Sequence, residues 1–433
     1  MLALLLAAMD ATVMGTVLPD VLADVGGGSG GGYAWLVSGF MLAQVAGTPL
    51  AGWIADRLDD RVLAVGATAG FLAASVAAGL AGSFAVLVAA RVLHGLTAGA
   101  IVVSSYVIVG RAFGPERRAK AQGMLSMVWG VAAVLGPVVG AALTEAAGWR
   151  WVFYVNVPLC ALVMIAVAVG LPGRAKDPAA KATRPRFPLT EYTLLTGGSA
   201  LLLVAVQAGS LGLGTAGGIT AALLALLALA LLRPRGGSLV PRQMLSRTPV
   251  AGAALATVGA CVVMYATVTV LPVRLAEQGT STTGVAFVVG LSALGWVAGS
   301  MVTGGLVTRH GYRPPMTAGA LALLATATLG ATGHLPWLAG LTAGLGTGAV
   351  TATTLALIQD HSPPDQLGVA TSAATTLRNI GSALGANGIA ALSATLTPTS
   401  ATTDPAFWPL AAATVCMVLL PSLTAPRHRT PAD

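Results

Sequence analysis

Polar and apolar residues segregate along this chain into long blocks. Uninterrupted apolar stretches of helical length alternate with short joints that hold most of the charge. A hydrocarbon layer of ~30 Å needs about 20 residues of helix to cross it. By that measure fourteen spans are predicted, at 1–22, 33–55, 62–82, 84–110, 120–144, 151–172, 191–211, 216–232, 249–273, 285–308, 315–333, 337–358, 367–395 and 407–425. The run at 216–232 is the shortest. Strands of a membrane β-barrel would be only about ten residues each, which excludes a barrel. The expected fold class is an all-α polytopic membrane protein.

Composition supports lipid as the main solvent. The 433 residues are 55% hydrophobic and 9% charged, against ~25% charged in soluble domains. The net charge of +8 forms no basic stripe interleaved with aromatics, so nucleic acid is excluded as a partner. Cys160, Cys261 and Cys416 are scattered through apolar runs. They imply neither a disulfide framework nor a metal site. The apolar residues begin at once, with no basic flank before them, so the first run is expected to remain as a membrane helix rather than be cleaved. The missing flank also leads us to expect either that the native reading frame extends upstream or that this form inserts less efficiently.

Basic residues orient the spans. Those at 57–61, 111–120, 174–186, 233–247, 309–313 and 427–429 fall on one side, which collects 19 of the 23. The opposite loops hold Arg150 and Arg274. The positive-inside rule then places both termini in the cytoplasm of a multi-pass cell-membrane protein. The polar, proline-bearing stretch 173–189 reads as a cytoplasmic linker. Gly26 to Gly32 reads as a flexible outer turn, since no strand precedes it and no phosphate-loop lysine follows.

Two joints repeat each other. Gly52-Trp-Ile-Ala-Asp-Arg-Leu-Asp-Asp-Arg61 and Gly304-Gly-Leu-Val-Thr-Arg-His-Gly-Tyr-Arg313 share the frame G-x-[IL]-x-x-R-x-x-x-R, 252 residues apart. A repeated basic turn at the end of an apolar run points to a duplicated helical bundle, as in many transporters.

Charges inside the spans stand out, because each costs at least ~2.5–3.5 kcal/mol at mid-membrane. Asp10 is the one acid deep in a span. It reads either as a proton carrier or as half of a static ion pair. Arg91 cannot shed its proton and needs carbonyls, water or a carboxylate, with Asp10 the obvious partner. His94, three residues on, shares the face of Arg91. It reads either as a proton relay or as a neutral, hydrogen-bonded ring. Arg378, with no acid in the late spans, either lines a cavity or bonds backbone carbonyls. Gln44, Arg378, Asn379 and Asn387 are the candidate cavity-lining residues. Gly381 and Gly385 form a close-packing G-x-x-x-G. Gly130, Gly136, Pro137 and Gly140 predict a bend in the span at 120–144 with a tightly packed neighbour.

Together these residues resemble the major facilitator superfamily, and within it the fourteen-helix drug:proton antiporters. Gly52, Asp56, Arg57 and Arg61 match the family's loop between helices 2 and 3, while Asp59 and Asp60 replace its usual glycine and arginine. Gly304, Arg309 and Arg313 form the second copy, with Thr308 in place of the aspartate. Arg91 and Gly95 match the helix 4 motif R-x-x-Q-G, and His94 replaces its glutamine. Gly136, Pro137 and Gly140 match the antiporter motif of helix 5, with Ala132 and Ala141 in place of glycines. Asp10 through Pro19 resembles the helix 1 signature, and Trp149 through Pro158 the element at helix 6.

The resemblance implies two six-helix bundles at 1–172 and 248–425. Between them, 173–247 would hold a linker, two inserted transmembrane helices and a second basic loop. Residues 426–433 would be a cytoplasmic tail. It implies drug or antibiotic efflux: export of an amphipathic, cationic or neutral organic compound by alternating access. Inward proton flow through Asp10, Arg91 and His94 would drive it, with no cofactor beyond the coupling proton. Rival expectations are a dedicated exporter, or a proton-coupled importer, of one endogenous metabolite. A membrane enzyme or a non-transporting receptor is more remote. His94, His310, His334, His361 and His428 are isolated, with no H-E-x-x-H. A monomer fits the sequence, which does not otherwise speak to oligomeric state.

Overall fold

A computed structural model describes residues 1–26, 34–171, 173, 187–194, 196–198, 239, 248–389 and 407–426. Its regular elements are all helical: α1 (Leu2–Val25), α2 (Ala34–Ala55), α3 (Asp60–Gly79), α4 (Phe84–Ala112), α5 (Pro115–Ala147), α6 (Trp151–Tyr154) and α7 (Asn156–Gly170) in the first part. The second part holds α8 (Thr248–Glu277), α9 (Thr282–His310), α10 (Arg313–Thr332), α11 (Pro336–Asp360), α12 (Leu367–Ala383), α13 (Phe407–Thr414) and α14 (Leu420–Thr424). Among the described residues nine helices are long and apolar enough to cross a membrane, and ten when the two limbs of α1 count as one span. They correspond to ten of the fourteen expected spans. The spans at 367–395 and 407–425 are helical where described, each interrupted by a π-helical stretch at Leu384–Ile389 or Val415–Leu419. The span at 216–232, two thirds of the one at 191–211, most of the linker and the tail 427–433 lie outside the described residues.

The sharpest break is in α1, where Leu2–Met14 and Thr16–Val25 meet at 67°. Pro19 explains it: the ring has no N–H for the carbonyl of Gly15 and crowds that carbonyl. α5 carries Pro137 inside one helix from Pro115 to Ala147 and has no break of that size. Its glycines serve packing. A Cβ on Gly136 would lie 2.1 Å from Thr12 Oγ1, and one on Gly140 would lie 2.4 Å from Val13 Cγ2. Both glycines therefore let α1 settle onto α5.

The same device recurs in both parts of the chain. A Cβ on Gly47 would meet the carbonyl oxygen of Leu96 at 2.3 Å, and one on Gly95 that of Phe40 at 2.1 Å, so α2 and α4 pack backbone to backbone. In the second part Gly299 faces the carbonyl of Leu345 at 2.3 Å and Gly344 that of Ser292 at 2.0 Å, joining α9 to α11 alike. α2 and α9 are also the helices that end in the two repeated turns.

The apolar cores separate along the chain. Two clusters around Met14, Leu36 and Phe153, and around Phe40, Phe71 and Cys160, draw only on residues 2–167. The largest cluster, around Tyr312, Leu323 and Phe407, draws only on residues 250–425. Ties between the two groups of helices concentrate toward the ends that carry the basic turns.

Candidate functional site

Arg91 is 1% exposed, on α4. The close approach of α2 brings the Leu36 carbonyl to its Nε at 3.2 Å, and the guanidinium carbon sits 4.5 Å from the Phe40 ring centroid. One terminal nitrogen donates a short hydrogen bond to Asp10 Oδ2. Asp10 is 3% exposed, and α5 holds its stretch of α1 in place. Two residues on, Thr12 Oγ1 donates to the carbonyls of Met9 at 3.0 Å and Ala132 at 3.2 Å.

His94 completes the cluster at 0% exposure. Its Nδ1 is 3.9 Å from Asp10 Oδ2, and its Nε2 is 2.8 Å from Ser75 Oγ, to which Asn156 donates in turn. The rings of Phe71 and Phe153 flank it at 4.6 and 5.9 Å. Asp10 Oδ1 and His94 Nδ1 have no hydrogen-bond partner among the described atoms. The pair is thus buried and joined by one hydrogen bond, with the second carboxylate oxygen unbonded among the described atoms.

The first repeated turn docks on the second group of helices. Asp56 accepts from the backbone N–H groups of Gly368 at 2.6 Å and Val369 at 2.8 Å, at the start of α12. Gly52 is required there, because a Cβ would lie 2.1 Å from Ser372 Oγ. Arg111 donates to Asp56 at 2.9 Å and also to Asp60. Burial pushes the Asp56 carboxyl up to about 6, against the opposing pull of the Val369 and Gly368 amides, Arg111 and Arg57. Asp59 accepts from the Arg61 amide and caps α3. The two acids that depart from the motif thus supply a helix cap and a second counter-charge for Arg111. Arg57 folds back on its own helix, donating to the Trp53 carbonyl at 2.9 Å and lying over the indole at 3.8 Å. The Arg61 side chain is exposed.

The second turn is built differently. Gly304 is buried, Arg309 exposed and Arg313 half-buried, and Thr308 bonds only the Gly305 carbonyl among the contacts described. A second tie forms nearby: Arg118 on α5 pairs with Asp360 on α11 at 2.5 Å, and the Tyr312 hydroxyl donates to the other oxygen. Gln122 donates to Gln359 at 2.8 Å just inside it.

Inside these ties lies a cavity of about 480 Å³, counting its opening to solvent. Its walls include Tyr106, Trp129, Trp296, Thr351 and Arg378. Of the four candidate cavity residues, Arg378 alone is described in its walls. Gln44 and Asn379 are half-buried elsewhere. Gln44 sits where α2 meets α4, its carbonyl taken by Thr48. The Asn387 side chain lies outside the described residues, within the π-helical stretch.

The profile of the Major Facilitator Superfamily matches residues 1–386. This chain belongs to that superfamily. Among its relatives, the multidrug transporter protein MdtP of Bacillus subtilis is 26% identical over 81% of this chain and 66% of its own length. An uncharacterized MFS-type transporter of Mycobacterium tuberculosis is 30% identical over 81% of this chain and 52% of its own. The chain thus spans less than two thirds of either relative. The fold is shared with the proton:xylose symporter XylE at a TM-score of 0.69 and 14% identity, covering 99% of this chain and 95% of that one. Family and fold together make the chain a multi-pass membrane protein of the superfamily.

Sequence reasoning missed several of this chain's ties. Gln122, Gln359 and Asp360 are polar residues near the ends of apolar runs, a pattern that does mark them, but their partners lie 237 and 242 residues away. On the opposite face Asp24 accepts from Arg150 and Trp149. The bond from Arg150, then that from Trp149, hold its carboxyl below the usual range.

Proposed function

We propose that this transporter exports amphipathic organic compounds in exchange for protons, by alternating access. Two six-helix bundles at 1–172 and 248–425 rock about a cavity between them. Residues 173–247 carry the linker, the inserted helices and the second basic loop, and 426–433 form a tail. The basic turns face the cytoplasm, as do both termini. The ties from Asp56 and Arg118 then hold the cytoplasmic side shut, leaving the cavity to the outside. Asp10 carries the proton, Arg91 holds its ionised form, and the neutral ring of His94 sits within reach of it. The similarity to the multidrug transporter protein MdtP supports organic compounds as the substrates.

The observation that carries this reading is the dry Asp10–Arg91 pair with one carboxylate oxygen unbonded. Protonating Asp10 releases the guanidinium, so proton occupancy changes the contacts between α1 and α4. The test is Asp10→Asn in inverted vesicles. Gradient-driven dye efflux should disappear, while gradient-independent counterflow and monodispersity in detergent persist. Full gradient-driven efflux by this variant would remove Asp10 from coupling.

A further inference from the structure

Hydrogen-bonding groups around the cavity are strongly biased in sign. Arg378 lines it with its guanidinium carbon 5.5 Å from the Trp129 ring centroid. Among the described residues it forms no ion pair, and the cavity's described walls contain neither Asp nor Glu. Asp360, on the closed side, is already held by Arg118 and Tyr312. Two more donors belong to residues of the same walls. The indole N–H groups of Trp129 and Trp296 are buried with no partner, and an indole nitrogen can only donate. Against them stands one unpartnered buried acceptor in the walls, Gln122 Oε1. The wall hydroxyls of Thr351 and Thr375 donate to carbonyls of their own helices, which leaves their lone pairs toward any incoming group.

A permanent cation with no acid in the cavity's described walls, beside two idle N–H donors, is a site missing an acceptor of negative charge. A cationic substrate would meet Arg378 with no carboxylate to offset it. We infer that the substrate class of this cavity is the amphipathic organic anion: a planar aromatic body carrying a carboxylate or sulfonate. The anionic group takes Arg378 and an indole N–H, and the ring lies among Trp129, Trp296 and Tyr106. This rests on the cavity being the substrate site of the transporter proposed above. It replaces the cationic or neutral compound expected from the sequence. Arg378 suits the task better than lysine would, since its planar fork holds two oxygens at once.

The test uses the full-length protein in nanodiscs with two probes of matched size, naphthalene-2-sulfonate and 2-naphthylmethylammonium, by equilibrium binding. The sulfonate should bind at least about tenfold more tightly than the ammonium, and Arg378→Gln should remove that advantage while leaving ammonium binding no weaker. The double variant Trp129→Phe with Trp296→Phe should weaken the sulfonate several-fold, and carries the mutational test if Arg378→Gln does not fold. Equal or tighter binding of the ammonium to the unmodified protein, no binding of either probe, or sulfonate affinity unchanged in a folded variant would overturn the inference. Neither measurement needs a proton gradient. Efflux that survives loss of Asp10 would therefore defeat the coupling proposal and leave anion selectivity standing, while absent selectivity would do the reverse.

Discussion

A guanidinium at 1% exposure must replace its water with protein groups, and Arg91 finds a carboxylate, a carbonyl and a ring face. They come from two helices: Asp10 from α1, Leu36 and Phe40 from α2. The planar fork holds both elements at once, which a single ammonium cannot do. Arg91→Lys should therefore lose the bond to Leu36 while keeping charge. A lost charge-assisted bond of about 1.5–3 kcal/mol should appear as a lower melting temperature and impaired gradient-driven efflux in vesicles. Wild-type values for both would reduce the arginine to a generic counter-charge.

At the scale of elements, α5 sets where α1 lies, and so where Asp10 lies. Gly136→Ala would drive a methyl group into Thr12 Oγ1, and overpacking of this kind costs about 1–3 kcal/mol. Lower thermal stability and reduced efflux are expected, with partial rescue by a second change, Thr12→Ala, that opens the space. Additive losses in the double variant would mean that the two residues do not meet as described.

The latch between α2 and α12 has its own pH dependence. The folded Asp56 carboxyl holds its proton more tightly than an unfolded one, at about 6 against 3.8, chiefly through burial. Its contribution to stability is thus complete below about pH 3.8 and is lost as pH rises through 6. A shift of this size corresponds to something on the order of 3 kcal/mol. Asp56→Asn cannot ionise. The melting temperature of the native protein should fall relative to this variant between pH 4 and pH 6. Parallel curves across that window would place the Asp56 carboxyl at its ordinary value.

For the whole molecule, the balance between the two groups of helices is held by few bonds. Asp56 at the α12 start, Arg118 with Asp360, and Gln122 with Gln359 all lie toward the same end. Removing a partner of a buried charge leaves that charge uncompensated, at about 3–5 kcal/mol. Arg118→Ala should shift the population away from the state closed at the basic turns. Spin labels flanking the two groups on the opposite face should then show shorter distances. An unchanged distance distribution would assign Arg118 to local stability of α11 alone.

Much of this was legible one residue at a time. Span lengths, the basic joints and the scarcity of charge follow from the thickness and dielectric of a bilayer, which act on every residue alike. Asp10 and Arg91 were legible for the same reason, because a charge in hydrocarbon has to be explained wherever it falls. The sequence by itself therefore determined the class of fold, the repeated turn and the charges inside the spans. Tertiary structure decided what depends on a partner far away in the chain. It turned Asp59 and Asp60 from motif departures into a cap and a counter-charge. It put a 67° break in α1, which carries Pro19, since a proline's effect depends on how neighbouring helices hold the strained turn. It also set Arg378 beside two unbonded indoles and away from carboxylates, and so gave the cavity its sign. Residues 129, 296 and 378 come from three helices, and no local pattern records which groups the packing leaves without a partner.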